Sequence, residues 1–130
     1  VFAPVAARLA AGAALSAVGE SIDDFLRIPW PAIAHDEQRI TGEVVYVDRF
    51  GNAITNVPAE ALPLEAVAEG AVRLRCAGIN LCLRAYYGAA SPNEALAVAD
   101  SSGLLELAIN GGSFAQRYSV NEGATVEAVW

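Results

Sequence analysis

Lysine is absent from this sequence, and its eight basic side chains are arginines scattered from Arg8 to Arg117. Against fifteen acidic residues they leave a formal net charge of −7. Such a chain cannot present the dense cationic stripe that a phosphate backbone or an anionic bilayer requires, so nucleic acid and membrane are not expected partners. Cysteine is nearly as scarce. Cys76 and Cys82 are too few for a disulfide framework or a zinc site, which makes a reducing cytoplasm the expected compartment. They flank a reversal at Ala77 to Leu81 and read as free thiols with no chemistry. The single histidine, His35, lies in a Pro-rich stretch without a Ser or Cys nucleophile pattern beside it. Neither a catalytic triad nor a transition-metal site has material to build on. There is no Gly-x-x-x-x-Gly-Lys loop and no strand leading into Gly-x-Gly-x-x-Gly. A basic secretory leader is lacking too. The longest apolar run, Val1 to Val18, is interrupted by Pro4, Arg8, Gly12 and Ser16, which argues against a bilayer-spanning helix.

What is present suffices for one folded domain: 130 residues, 55% of them hydrophobic and only 18% charged. That composition can bury a core large enough to offset the ordering entropy of the chain.

Periodicity divides the chain into three parts. Residues 1–20 read as an Ala-rich helix, with Pro4 in its first turn and Gly19 as its stop. A helix apolar on more than one side needs packing partners on both, so this one is expected to be the end of a larger N-terminal domain. Residues 21–39, with Pro29 and Pro31, read as a linker. From residue 40 to 130 the pattern becomes seven short β-type runs: 42–47, 53–57, 72–76, 81–87, 95–99, 104–109 and 125–129. Gly51-Asn52, Gly78-Ile79-Asn80, Ser101-Ser102-Gly103 and Asn121-Glu122-Gly123 punctuate them as turns. Helical turns are expected over 59–68 and over 113–118, the latter capped by Ser113. The fold class is therefore mainly β, a closed barrel or sandwich of about seven strands.

Two polar clusters stand out. In the first, Asp48-Arg49-Phe50-Gly51-Asn52, the Asp48 carboxylate offers an acceptor for an ammonium or for two hydroxyls. The Asn52 amide supplies a donor and an acceptor together, the pairing an adenine edge asks for. The competing reading is that both simply stabilise the turn around Gly51. In the second, Asp100-Ser101-Ser102-Gly103-Leu104-Leu105-Glu106-Leu107-Ala108-Ile109-Asn110-Gly111-Gly112-Ser113, a strand is bracketed by Gly-containing turns whose hydroxyls and amides suit a carboxylate or a ribose. Alternation puts Glu106 opposite Leu105, Leu107 and Ile109, hence facing solvent. Tyr86 and Tyr87 end a strand, where at most one of them can offer its face to a base.

These two stretches, the first extended back to Val45 and on to Asn56, resemble the signatures of the C-terminal domain of S-adenosyl-L-methionine hydroxide adenosyltransferases. That family is related to fluorinating and chlorinating enzymes acting on the same substrate. Residues 2–10 are similar to its last N-terminal-domain helix, so the resemblance covers nearly the whole chain but only about the latter half of the enzyme. It implies a small antiparallel barrel, a homotrimer, and an active site between the N-terminal domain of one subunit and the C-terminal domain of its neighbour. No cofactor is implied, S-adenosylmethionine being the substrate. By the resemblance, Asn52 matches the adenine-binding Asn, Asp48 the Asp at the methionine ammonium, and Ser101 the Ser at the methionine end. Either Tyr86 or Tyr87 matches the aromatic residue at the adenosine. Ile109 and Gly111 fall where main-chain groups approach the base, and Glu106 at an acidic position near the ligand. The halogenating relatives carry arginines where this chain has Ser102 and Ile109, which favours water or hydroxide as nucleophile. The implied reaction is displacement at ribose C5′, yielding adenosine and methionine, with the catalytic Asp, Arg and His in the N-terminal half. The alternative class is a non-catalytic barrel that binds a nucleoside or a protein.

Overall fold

The computed structural model describes residues 1–130. Eight strands form: β1 (Ala34–Asp36), β2 (Arg39–Val47), β3 (Ala53–Pro58), β4 (Arg73–Cys76), β5 (Ile79–Cys82), β6 (Ala95–Ala99), β7 (Leu104–Ile109) and β8 (Thr125–Val129). Three short helices accompany them: α1 (Phe2–Ala10), α2 (Leu64–Ala68) and α3 (Phe114–Tyr118). No helix is long and apolar enough to cross a membrane.

The strands run in the order β5-β4-β8-β2-β3-β7-β6, with β1 paired to β2 beside this path. Every ladder is antiparallel. A parallel bridge from Leu83 to Ala97 brings the end of β5 against β6 and nearly closes the barrel. The long strand β2 makes this closure possible, because it pairs with β8 over Arg39 to Glu43 and then with β3 from Val44 onward. A register irregularity between Val44 and Tyr46 bends it at that change of partner. Inside, Ile40, Val44, Val57, Leu74, Leu81, Leu105, Leu107, Phe114 and Val126 form one continuous apolar core.

The seven β-runs expected from the pattern correspond to β2 to β8, with differences of physical origin. The β4–β5 reversal is the dipeptide Ala77-Gly78, both at positive φ (49° and 77°). This is the mirror-image turn that matches strand twist, and it leaves Ile79 and Asn80 inside β5. The cysteines pair with other residues, Cys76 with Ile79 and Cys82 with Arg73, and both are free thiols. Strand β5 ends at Cys82 rather than Tyr87, because the Arg84 amide donates to Ala97 O (2.8 Å) and the chain then turns across the outside of the sheet. The first helix stops at Ala10, well before Gly19. Gly12 at φ +90° lets its own amide reach Leu9 O and that of Ala13 reach Arg8 O (2.9 and 3.1 Å), a glycine-terminated helix end. Residues 34–36 of the Pro-rich stretch are drawn into the sheet as β1.

Two buried polar residues of β3 explain where this strand's bonding goes once its ladder to β7 slips between Ile54 and Pro58. Thr55 Oγ1 donates to Leu105 O (2.7 Å) and accepts from Val57 N (3.2 Å). Asn56 Oδ1 accepts from Glu43 N (2.7 Å), and its Nδ2 donates to Pro31 O (3.0 Å). Asn56 thereby fastens the chain before β1 to the barrel. Its replacement by Ala removes the partners of a half-buried amide and a half-buried carbonyl, and is expected to cost about 1–3 kcal/mol of unfolding free energy. Denaturant titration checks this: a lowered midpoint at unchanged m is the expected result.

Candidate functional site

One carboxylate shapes each of two hairpin loops. In the loop between β2 and β3, Asp48 Oδ1 accepts from Phe50 N (2.8 Å) and Asn52 N (2.9 Å). Gly51, at φ +83°, donates to Asp48 O (3.0 Å), and Asp48 N donates to Asn52 O (3.0 Å). The loop between β6 and β7 repeats this arrangement. Asp100 Oδ1 accepts from Ser102 N (2.8 Å) and Leu104 N (3.0 Å), Gly103 lies at φ +82°, and Asp100 N donates to Leu104 O (2.8 Å). Both are Asp-x-x-Gly-x loops in which the aspartate satisfies amides two and four residues on. Gly51 is doubly constrained, since a methyl group there would overlap the Ser113 side chain. The Gly51 carbonyl accepts from Ala115 N (2.9 Å), so the first loop rests on the start of α3. There Ser113 Oγ caps the helix by accepting from Gln116 N (3.1 Å), as its position in the sequence indicated.

Because β3 and β7 are antiparallel neighbours, these loops stand at opposite ends of the outer face of β3, β7 and β6. Ala53 pairs with Leu107 and Pro58 with Leu104, so three residue steps of β7, roughly 10 Å, separate them. Midway, Glu106 is flanked by Ile54 on β3 and Val98 on β6. This corrects the expectation that Glu106 faces solvent: it is only 5% exposed. The alternation is as read, but the outer face is covered. The segment after β5 crosses it and buries Ala90, Leu96, Val98 and Ala108 as a second small apolar layer. The segment is tied down by Asn110, whose Nδ2 donates to Ala90 O (2.8 Å) and whose carbonyl accepts from Asn93 N (2.8 Å).

The crossing segment carries Tyr86 and Tyr87 into a 3-10 turn at residues 87–89. They do not sit in a strand with side chains on opposite faces, and both line the same depression. The Tyr87 hydroxyl donates to Glu106 Oε1 at 2.6 Å. Burial first, and then the Glu106 carboxylate, pushes the Tyr87 phenol up to about 12. Burial also raises the Glu106 carboxyl above its ordinary range. The Tyr87 hydrogen bond opposes that rise, and the negative charges of Asp48 and Asp100 add to it.

All nine residues singled out in the sequence line one of two adjoining depressions. One, of about 550 Å³, is walled by Asp48, Asn52, Tyr87, Ile109 and Gly111, together with Phe50 and Gly112. The other, of about 590 Å³, holds Tyr86, Tyr87, Ser101, Ser102 and Glu106, and adds Tyr46 and Asp100. Asp48 and Tyr87 belong to both. No basic side chain lines either one, so three carboxylates and three tyrosines make a face suited to a positively charged, partly aromatic ligand. No group of three or more His, Cys, Asp or Glu side chains is disposed to hold a metal ion. Asp48 stabilises the turn, as one of its two readings has it, through the loop amides and Asn52 Nδ2 (3.2 Å), and it also lines both depressions. Sequence reasoning left out Asp100, Tyr46 and Phe50 as site residues. The repeated Asp-x-x-Gly-x spacing was a signal that pairs Asp100 with Asp48.

The fold and this face define a small antiparallel barrel with an acidic, tyrosine-lined outer cleft. The chain belongs to the family described as the SAM hydroxide adenosyltransferase C-terminal domain, whose model matches residues 42–127. It is 37% identical over 130 residues to the (R)-S-adenosyl-L-methionine hydrolase of Salinispora arenicola, an alignment covering 95% of this chain and 46% of that protein. The Thermus thermophilus protein of the same name is 34% identical, over 97% of this chain and 46% of its own. The chain thus spans about half the length of the curated relatives it matches. Among solved structures, it is similar to an uncharacterized conserved protein from Thermotoga maritima, with TM-score 0.72 and 33% identity over 100% of this chain and 51% of that one. A conserved hypothetical protein from Thermus thermophilus gives a TM-score of 0.64 at 32% identity, over 98% of this chain and 50% of that one.

The lifted Glu106 pKa fixes the sign of a stability effect. The native state keeps this proton where the unfolded chain has released it, so the corresponding stability is present at low pH and lost as pH rises through the lifted value. Glu106→Gln is expected to flatten that part of the stability-against-pH curve. Denaturant midpoints measured from pH 4 to 8 check this, and an unchanged slope contradicts it.

Proposed function

We propose that this chain is the substrate-binding C-terminal part of an enzyme that hydrolyses S-adenosyl-L-methionine to adenosine and L-methionine. The observation that carries this reading is the convergence of Asp48, Asn52, Tyr86, Tyr87, Ser101, Ser102, Glu106, Ile109 and Gly111 on two adjoining depressions of one sheet face. Asn52, with Ile109 and Gly111, takes the adenine end. Ser101 and Ser102 take the methionine end, and Asp48, common to both depressions, takes the ammonium. The names of the relatives specify the (R)-sulfonium diastereomer, and the same diastereomer is the proposed substrate here.

The reaction is a displacement at ribose C5′. Oxygen of water forms the new bond to carbon, the carbon–sulfur bond breaks, and methionine leaves with the electron pair as a neutral thioether. The water proton passes to solvent. A sulfonium is already a good leaving group, so catalysis consists chiefly of aligning a partly desolvated water with the carbon–sulfur axis. The present residues bind and orient the substrate, while the groups that position the water belong to an N-terminal domain. Residues 1–20 form the end of that domain and 21–39 the connection to the barrel at 40–130. Phe2, Leu15, Ile22, Leu26, Ile28 and Trp30 are all exposed, and this supports their being covered by it. A cytoplasmic homotrimer, in which each barrel faces the N-terminal domain of a neighbour, completes the proposal.

Asn52→Ala in the intact enzyme tests it. Losing one bidentate contact to adenine is expected to lower kcat/KM about tenfold or more, mostly through KM. Unchanged kinetics contradict the assignment.

A further inference from the structure

Glu106 occupies an unusual position for a carboxylate. It is nineteen-twentieths buried, given its 5% exposure, and it lies midway along the cleft, adjoining the tyrosine that both depressions share. The groups that face it are few. Tyr87 reaches it from the crossing segment, Asp48 from the first aspartate loop and Asp100 from the second. The flanking strands contribute only Ile54 and Val98. No cation balances this set, yet the side chain is locked in place by the 2.6 Å bond from Tyr87. A ligand stretched from Asn52 to Ser101 carries its central atom past this point.

Resting on the hydrolase reading above, we infer that Glu106, oriented by Tyr87, is the residue that distinguishes a sulfonium substrate from uncharged sulfur or adenosine. With a neutral ligand or none, burial and the charges of Asp48 and Asp100 make Glu106 hold its proton to higher pH than an exposed carboxyl does. When a sulfonium enters, the proton leaves to solvent and the carboxylate meets the positive charge. Selectivity for the cation then works in the direction of turnover. Hydrolysis destroys the positive charge, so neither product restores the attraction that held the substrate. Tyr87 is a positioning residue in this scheme, donating the hydrogen bond that favours the ionised form.

The test compares two ligands differing at the central atom. Sinefungin is a stable cation in which an amine-bearing carbon replaces the sulfonium, and S-adenosyl-L-homocysteine is the neutral thioether. Their common adenosine and amino-acid ends largely cancel in the ratio of affinities. Calorimetry on the intact enzyme from pH 5 to 8 is expected to show the cation-to-thioether ratio rising with pH, then levelling once Glu106 is ionised in the free site. In Glu106→Gln the ratio is expected to lose that rise and to fall about tenfold at pH 8, the equivalent of one pKa unit of differential interaction, with adenosine affinity little changed. In Tyr87→Phe the rise is expected to survive but to move to higher pH, since the bond favouring the carboxylate is gone. A flat wild-type ratio, or a Glu106→Gln profile identical to wild type, overturns the inference while leaving the hydrolase reading standing. A wild-type enzyme that binds neither ligand nor adenosine overturns both.

Discussion

The architecture of the cleft depends on one interaction used twice: an aspartate oxygen receiving the amides two and four residues ahead of it. At Asp48 and again at Asp100 this bond fixes a five-residue loop, sets a glycine at positive φ, and defines where each hairpin reverses. Because β3 lies against β7, the two hairpins are adjacent and their loops mark the two ends of a single sheet face. Each loop also presents a negative charge there, so one bond serves both the fold and the electrostatics of the site.

A second constraint converts that face from a wet surface into a cleft. The chain leaves β5 early, bridges to β6, and crosses the outside of β6 and β7 before re-entering the sheet. Its Ala90 packs on Leu96, Val98 and Ala108, and its Tyr87 bonds to Glu106. Without the crossing, Glu106 would be an ordinary surface carboxylate on an amphipathic strand. With it, the same residue is held in low dielectric, where a charge interacts strongly with any cation that reaches it.

Much of this was legible in the sequence, and the exceptions share a cause. The runs 42–47, 53–57, 95–99 and 104–109 were legible as strands because β-branched and aliphatic residues dominate them between turn signals. The Asp48 to Asn56 and Asp100 to Ser113 stretches pointed to the residues that line the two depressions because they hold more polar residues than a turn requires. Local rules failed where tertiary contacts decide. Glu106 is buried by a segment almost twenty residues away in sequence, which no pattern within β7 discloses. Tyr86 and Tyr87 come to the same depression only because β5 stops to make the bridge to Ala97, a contact made across the barrel seam. Thr55 and Asn56 belong to the same polar stretch as Asn52, yet hold the strand and the preceding chain rather than the cleft. The Gly12 helix end was equally local, but Ala-rich sequence on both sides masked it.

The central claim is that the ligand lies along the face between the two aspartate loops. It is tested most directly by titrating this chain with adenosine and following backbone amide resonances. Saturable shifts concentrated in residues 48–52, 86–87 and 109–111, and lost in Asn52→Ala, are the result expected. Shifts confined to another surface, or none at millimolar adenosine, would contradict it.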